Sequence, residues 1–497
     1  MTRTADLLVI GGGATGVGVA WDATLRGLSV ILVERKDLAE GTSGRFHGLL
    51  HSGGRYAVKD PNAARECVAE NRIVRRVAAD CVEDTGGLFV TTPHDDPAFA
   101  DRLVAGCAAT GVDCEEIDPG EALRREPRLN PGISRAFQVP DANIDVWKTV
   151  WAMTRGARGR GAEILPYHDV VAIRHDGAAV SGARVRDVRT GEEREIEAAV
   201  TVNATGAWAG RVASLAGIDG VRILPGRGIM VALGHRVLNT VVNRCQMPTD
   251  GDIIVPIRTV SVVGTTDQNT DNPDDETVPQ QEIDAMLTEG EKLVPGLRDG
   301  RALRVWAGVR PLFEDAKADD SSSRDVTRAH ALLDHAQRDD VDRFVTITGG
   351  KLTTFRLMAQ DTVDAVCRKL GVERACTTDT EPLPGSESGE NYRLGARLAR
   401  KEAALVSEQM ICECELVPLA KLKDALNDTA STVLDDIRRR LRLAMGPCQG
   451  GFCIYRAAGV MHELDHLDAS QANASLRDFL QERWKDLWPV LYGDQLR

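Results

Sequence analysis

Asp6-Leu7-Leu8-Val9-Ile10-Gly11-Gly12-Gly13-Ala14-Thr15-Gly16 decides how the rest of the chain is read. Its first five residues form a short apolar run, as in a parallel strand buried on both faces. Gly11, Gly13 and Gly16 occupy the G-x-G-x-x-G positions. Residues 17–25 continue as a helix, and Leu28-Ser29-Val30-Ile31-Leu32-Val33-Glu34 as a second strand. Gly11 permits a tight turn, Gly13 lets the backbone approach a pyrophosphate, and Gly16 lets helix and strand pack closely. Ala14 and Thr15 open the helix, whose N-terminus offers free N–H groups and a positive dipole end to phosphates. Glu34 stands where a carboxylate accepts from ribose hydroxyls, and Arg35 follows it in the cofactor set. Glycine-rich turns alone are common. The strand before, the helix after and the acid beyond agree here, and together they predict a bound dinucleotide rather than a structural turn.

A chain of 497 residues exceeds one core, so two or three domains are expected. Its composition, 43% hydrophobic and 27% charged, is that of a soluble globular protein. A net charge of -13 argues against a nucleic-acid partner, although a local basic pocket stays compatible with it. No apolar run reaches the ~20 residues that span a bilayer. The chain enters its first strand within a few residues, which leaves no room for a signal peptide. An intracellular protein, soluble or peripheral, is expected.

After Glu34 comes Gly41-Thr42-Ser43-Gly44-Arg45-Phe46-His47-Gly48-Leu49-Leu50-His51-Ser52-Gly53-Gly54-Arg55-Tyr56. It is too glycine-rich for a helix throughout. It reads as a loop that enters a helix near Thr42 or Ser43, with hydroxyls and N–H groups facing a cofactor. Helices follow at 62–77, 97–110 and 145–158, the last carrying Trp147 and Trp151 as core residues. Residues 162–202 alternate as an antiparallel sheet. Asn203-Ala204-Thr205-Gly206-Ala207-Trp208 then looks like a strand returning to the nucleotide-binding sheet through a small-residue turn. Further strands fall within 222–242, 252–266, 303–309, 330–335 and 344–347, and residues 316–328 read as an exposed, charged loop. Gly349-Gly350-Lys351-Leu352-Thr353-Thr354 makes another strand-to-helix turn before a helix over 355–370.

Residues 381–391 form a linker of Pro, Gly, Ser and Glu. Beyond it, helices are expected over 394–406, 418–426, 431–443, 454–462 and 476–488. The run Arg438-Arg439-Arg440 reads as a solvated face or as a basic edge for a partner. The expected division is a discontinuous cofactor domain (1–80, 145–220, 300–375), a substrate or cap domain (81–144, 221–299), a linker and helix (376–407), a small metal domain (408–465) and a closing helix (466–497).

Eleven cysteines in a chain this long do not suggest a secreted disulfide scaffold. Cys67, Cys81, Cys107, Cys114, Cys245, Cys367 and Cys376 are scattered and read as inert thiols. Cys412 and Cys414 form C-x-C, and Cys448 and Cys453 form C-x4-C. Two pairs in loops at helix ends look like a four-thiolate metal site. Zinc sites usually pair cysteines as C-x2-C. A [2Fe–2S] cluster fits better, since Gly446, Gly450 and Gly451 let backbone N–H groups approach sulfur. Zinc, a redox disulfide and inert thiols remain as alternatives.

The glycine fingerprint, Glu34, residues 41–56, Gly308-Val309-Arg310-Pro311-Leu312 and the 349–354 turn resemble the FAD-dependent glycerol-3-phosphate dehydrogenases, within the D-amino-acid-oxidase-like flavoproteins. The likeness is nearest to the anaerobic type, which works as one part of a complex. The cysteine set resembles the [2Fe–2S] domain of bacterioferritin-associated ferredoxin. The resemblance implies an α/β (α+β) fold: a Rossmann-like FAD domain, an inserted antiparallel substrate domain and a small helical iron–sulfur domain. It implies FAD held by the fingerprint residues with Thr42, Ser43, Arg45, His47, Gly48, Leu49, His51, Gly206, Gly350, Lys351, Leu352 and Thr353. It implies a [2Fe–2S] cluster on the four cysteines. Arg310, Arg324 and Lys351 are implied near substrate, with Arg55 and Tyr56 beside them.

The activity implied is oxidation of sn-glycerol 3-phosphate to dihydroxyacetone phosphate by hydride transfer to flavin. A phosphate dianion wants two or more cations, and arginine offers a bidentate fork. His51 or Lys351 takes the C2 hydroxyl proton, and the residues alone leave that choice open. Electrons then pass through the cluster to a second flavoprotein subunit, to an iron–sulfur membrane-associated subunit, then to quinone. Rival readings are an amine, amino-acid or 2-hydroxy-acid oxidoreductase of the same fold, or an electron-transfer subunit that turns over nothing.

Overall fold

The strand Arg3–Ile10 lies inside an eight-stranded sheet. Leu7 and Val9 pack into one core, Leu8 and Ile10 into another. This period of two explains why a continuous apolar run serves as one strand with both faces covered. The strand pairs in parallel with Val30–Val33 and with Glu193–Asn203. Val30–Val33 pairs in parallel with Glu163–Leu165. Glu193–Asn203 divides its length, with its start antiparallel to Ala179–Asp187 and its end parallel to Phe344–Gly349. The alternating stretch is therefore a three-strand meander joined to this parallel sheet. The helices Ala14–Leu25, Val146–Arg158 and Phe355–Leu370 cover one face. The computed structural model describes residues 3–313, 329–403, 409–427 and 433–491.

A second, nine-stranded sheet gathers two distant stretches of chain. Ile223–Leu233 and Ala302–Phe313 form its longest pair, with Gly226 opposite Arg310 and Gly228 opposite Gly308. Ala302–Phe313, expected with the cofactor domain, thus pairs along its length in the second sheet. Val260–Gly264, Ile253–Ile257, Val241–Arg244, Gly87–Thr91, Arg135–Val139 and Glu115–Ile117 follow in order. Gln280–Leu293 packs its apolar side on this sheet through Ile283, Met286 and Leu287. The chain crosses between the sheets repeatedly, and a large cavity lies at the join.

The C-terminal lobe has its own apolar core. Met410–Cys412 pairs with Val417–Pro418, followed by the helices Leu419–Asn427, Leu434–Leu441, Cys453–Glu463 and Ala469–Leu491. The third-last helix stops short of 443 because Arg442 adopts φ 64°, a left-handed C-terminal stop. The last helix is longer than expected on both sides. The arginine run is neither a solvated face nor a partner edge. Arg438 pairs with Asp435 at 2.6 Å, Arg439 reaches Asp37 and Glu40 at 3.3 Å, and Arg440 stacks on Trp151. Arg439 fastens the lobe to the loop that follows Glu34, and Arg440 sets it against the helix Val146–Arg158. Among the described residues no helix is long and apolar enough to cross a membrane.

Candidate functional site

The glycine turn is fixed by close approach. Gly11 has φ 110°, and a Cβ there would lie 2.7 Å from the Ala204 carbonyl oxygen. A Cβ at Gly16 would lie 1.9 Å from the Gly11 carbonyl oxygen. The helix starts at Gly13, which has no side chain to cap it, and its positive end faces the cavity. The Ala14 N–H donates to Ser43 Oγ at 3.0 Å. Glu34 accepts from the Gly12 and Lys36 N–H groups at 2.8 and 2.9 Å. Burial pushes its carboxyl above the ordinary range. Thr42 begins a short 3-10 turn and donates to the Val309 carbonyl at 2.6 Å.

A cavity of about 850 Å³ runs from this turn to the seam between the sheets. It is lined by Gly11, Gly13, Ala14, Thr15, Glu34 and Arg35 at one end. Thr42, Ser43, Arg45, His47, Leu49 and Gly206 follow, and His51, Arg55, Tyr56, Arg310, Gly350, Lys351 and Leu352 stand at the other end. Three of the expected cofactor residues are off this wall. Gly16 packs on Gly11, and Gly48, with φ 86°, packs on Asn143 and Ile257. Thr353 is buried and its Oγ1 accepts the His51 N–H at 3.1 Å. Arg324 and the whole of the 316–328 loop lie outside the described residues. Thr205, Trp208, Arg211, Thr265 and Asp267 also line the cavity. No motif in the sequence singles out Arg211, Thr265 or Asp267 for the site.

Arg55, Lys351 and Arg310 at the inner end are each held by a carboxylate. Arg55 makes a two-pronged pair with Asp252, at 2.8 and 3.2 Å. Lys351 Nζ lies 3.4 Å from Glu66. Arg310 donates to Asp267 at 2.8 Å, to the Thr266 carbonyl at 2.9 Å and to Thr265 Oγ1. These partners set the direction of each side chain. At the rim Arg35 pairs with Asp274 at 2.7 Å and stacks on Trp208. The rings of His47, His51 and Tyr56 follow one another at 5.9 and 5.1 Å between centres. His47 Nδ1 accepts the Leu49 N–H at 3.2 Å. Burial, with Arg55 and Arg310 adding repulsion, pulls the His47 pKa down to about 3. His47 is therefore neutral near pH 7.

The four C-terminal cysteines come together as two pairs. Cys412 contacts Cys453, and Cys414 contacts Cys448. The pairs feel each other's charge, Cys414 that of Cys412 and Cys453 that of Cys448. The contact with Cys453 holds the Cys412 thiol down, at about 7, against its burial. The Glu415 and Ala444 N–H groups also donate to Cys412, and the Cys448 N–H donates to Cys414. A Cβ at Gly446 would lie 2.4 Å from Cys414 Cβ. Among the described residues no group of three or more His, Cys, Asp or Glu side chains is arranged around a single ion.

The cavity and its glycine cradle match known proteins. The FAD dependent oxidoreductase family matches residues 6–364. A subunit of the anaerobic glycerol-3-phosphate dehydrogenase of Escherichia coli (strain K12) is 44% identical, over 100% of this chain and 95% of that one. A subunit of the anaerobic enzyme of Haloferax volcanii is 42% identical over 100% and 89%. The crystal structure of Bacillus halodurans glycerol-3-phosphate dehydrogenase complexed with FAD shares the fold, with TM-score 0.70 at 22% identity, covering 99% of this chain and 97% of that one. Glycine oxidase from Bacillus cereus aligns with TM-score 0.58 at 21% identity, over 73% and 95%. A fingerprint turn on a parallel sheet, a second sheet closing the far end of the cavity and identity along the full chain converge: this chain belongs to the FAD dependent oxidoreductase family, and within it to the group of anaerobic glycerol-3-phosphate dehydrogenase subunits.

Proposed function

We propose that this chain oxidises sn-glycerol 3-phosphate to dihydroxyacetone phosphate with FAD held in the 850 Å³ cavity. The carrying observation is the 44% identity, along the whole chain, to a relative named for that dehydrogenase. The cavity supports it. A glycine turn at a helix start suits a pyrophosphate, and Arg310 with Lys351 at the far end suits a phosphate dianion. Bound FAD supplies the acceptor for the hydride leaving C2 of the substrate. His51 takes the C2 hydroxyl proton, since its rival Lys351 is ion-paired with Glu66 and serves better as a binding cation. Arg310 and Lys351 hold the phosphate, and Arg55 and Tyr56 shape the wall beside it. An amino-acid or amine substrate carries one carboxylate and gives this set of cations less to do.

Cys412, Cys414, Cys448 and Cys453 would hold a [2Fe–2S] cluster, which would supply one-electron transfer from the C-terminal lobe. Two thiol pairs suit two irons with two thiolates each better than one tetrahedral zinc, and the backbone N–H donors suit bound sulfur. The relatives' designation as subunits supports partners that accept these electrons. The reading is a quinone-dependent dehydrogenase. A second flavoprotein subunit, together with an iron–sulfur, membrane-associated subunit, carries electrons to quinone. The chain then sits on the inner face of the cell membrane through those partners. We read residues 408–465 as the cluster domain and the two sheets as cofactor and substrate domains.

Anaerobic addition of sn-glycerol 3-phosphate to the FAD-loaded chain tests the substrate. Bleaching of the oxidised flavin supports the reading. A flavin that stays oxidised in the presence of partner subunits overturns it.

A further inference from the structure

The hairpin of Ile253–Ile257 and Val260–Gly264 joins the flavin cavity to the thiol loop. At one end Ile253 and Thr265 line the flavin cavity, and Gly264 packs on His47. Ile257 packs on Gly48. At the other end, the tip carries Arg258 and Thr259. Val260–Gly264 has 5 residues, so the two ends stand about 17 Å apart at ~3.4 Å per residue.

The tip is the seat of the thiol loop. Arg258 donates to Glu415 at 3.0 Å and to Asp145 at 2.9 Å. Arg442 donates to the same Glu415 oxygen at 2.9 Å and lies 3.6 Å from Asp145. All four side chains are buried. Glu415 follows Cys414 directly, and Gly446 sits between Cys414 and Thr259. Glu415 Oε1 is buried without a hydrogen-bond partner. A lobe seated only for stability would be served as well by apolar packing. Two arginines on one carboxylate fix a direction and a register.

We propose that Arg258 and Glu415 are positioning residues whose buried ion pair holds the loop 412–416 in register with the hairpin that walls the flavin cavity, and so sets electron passage between the two sites. The proposal rests on the reading of the cysteines as ligands of an iron–sulfur cluster.

The test uses the whole loaded chain with Glu415→Gln, Arg258→Met and Glu415→Asp. Three quantities are read: flavin bleaching by sn-glycerol 3-phosphate, growth of the paramagnetic signal of reduced thiol-bound iron, and amide hydrogen exchange of 409–418. Bleaching is expected within twofold of the unmodified chain in all three variants. Growth of the iron signal is expected to slow at least tenfold in Glu415→Gln and Arg258→Met, and to recover to within threefold in Glu415→Asp. Exchange over 409–418 is expected to quicken in the first two, with 41–56 unchanged. Unchanged signal growth in Arg258→Met, with iron content intact, overturns the proposal, as does unchanged exchange over 409–418. An unmodified chain that holds no iron defeats the cluster reading itself, and is told apart because flavin bleaching persists.

Discussion

The ammonium of Lys351 stands 5.5 Å from the ring centre of Tyr56, and the His51 ring centre lies 5.1 Å from the same ring. One tyrosine thus neighbours both a cation and an imidazole at the inner end of the cavity. Removing each neighbour has a different consequence. Lys351→Met loses a charge-assisted contact to phosphate, about 1.5–3 kcal/mol, and raises KM by ten- to a hundredfold with FAD content preserved. His51→Ala lowers kcat by about 10²–10⁴ and leaves KM nearly unchanged. Steady-state kinetics with an artificial acceptor separates them, and a His51→Ala chain at full turnover removes His51 as the base.

Gly16→Ala places a methyl 1.9 Å from the Gly11 carbonyl oxygen. Backbone cannot give way there as a side chain could, so the turn opens. Overpacking of this kind costs about 1–3 kcal/mol, and the loss falls on the phosphate cradle. The purified variant is expected to carry little FAD by absorbance, while its far-ultraviolet circular dichroism stays near that of the unmodified chain.

The cradle is legible in the sequence because its determinants are local. Turn, close approach and helix start lie within one short stretch, and Glu34 closes the unit one strand later. Arg310 is legible only through resemblance. What aims it, Thr265 and Asp267, lies on a loop separated from it in sequence and brought near by the pairing of Ile223–Leu233 with Ala302–Phe313. The run Arg438-Arg439-Arg440 misleads for the same reason. Its acids Asp37 and Glu40 sit at the opposite end of the chain, and no local pattern announces a charge partner that only tertiary packing supplies.

Arg439→Met tests that clamp. Arg439 is buried among Asp37, Glu40, Asp435 and Asp436. Burial, then Asp436, already pushes the Asp37 carboxyl up to about 7 against the pull of Arg439. Removing one partner of a buried charge set costs about 3–5 kcal/mol. A fall in Tm is expected, with the C-terminal lobe the first part to gain hydrogen exchange.

His47 gives the chain an acid-side liability. Its pKa is about 3 in the folded chain and about 6.5 when unfolded. Between those values the unfolded chain binds more protons, so stability rises with pH across the window. The contribution is complete above about pH 6.5 and is lost as pH falls toward 3, at about 1.4 kcal/mol per pKa unit. Denaturant titrations at pH 7 and pH 5 should show His47→Gln losing less stability on acidification than the unmodified chain. An equal loss contradicts the assignment.

Cys412→Ser removes the thiol held down by Cys453 and by two backbone N–H groups. Iron and acid-labile sulfide are expected to fall below half of the unmodified content under anaerobic handling. Flavin bleaching by substrate is expected to persist, since the FAD cavity contains none of the four cysteines.

The most direct measurement is the anaerobic visible spectrum of the FAD-loaded chain before and after sn-glycerol 3-phosphate, with its partner subunits present. Loss of the oxidised-flavin band, with dihydroxyacetone phosphate formed in equal amount to flavin reduced, is the predicted result. A band that survives sn-glycerol 3-phosphate but is bleached by an amino acid or a 2-hydroxy acid contradicts the account.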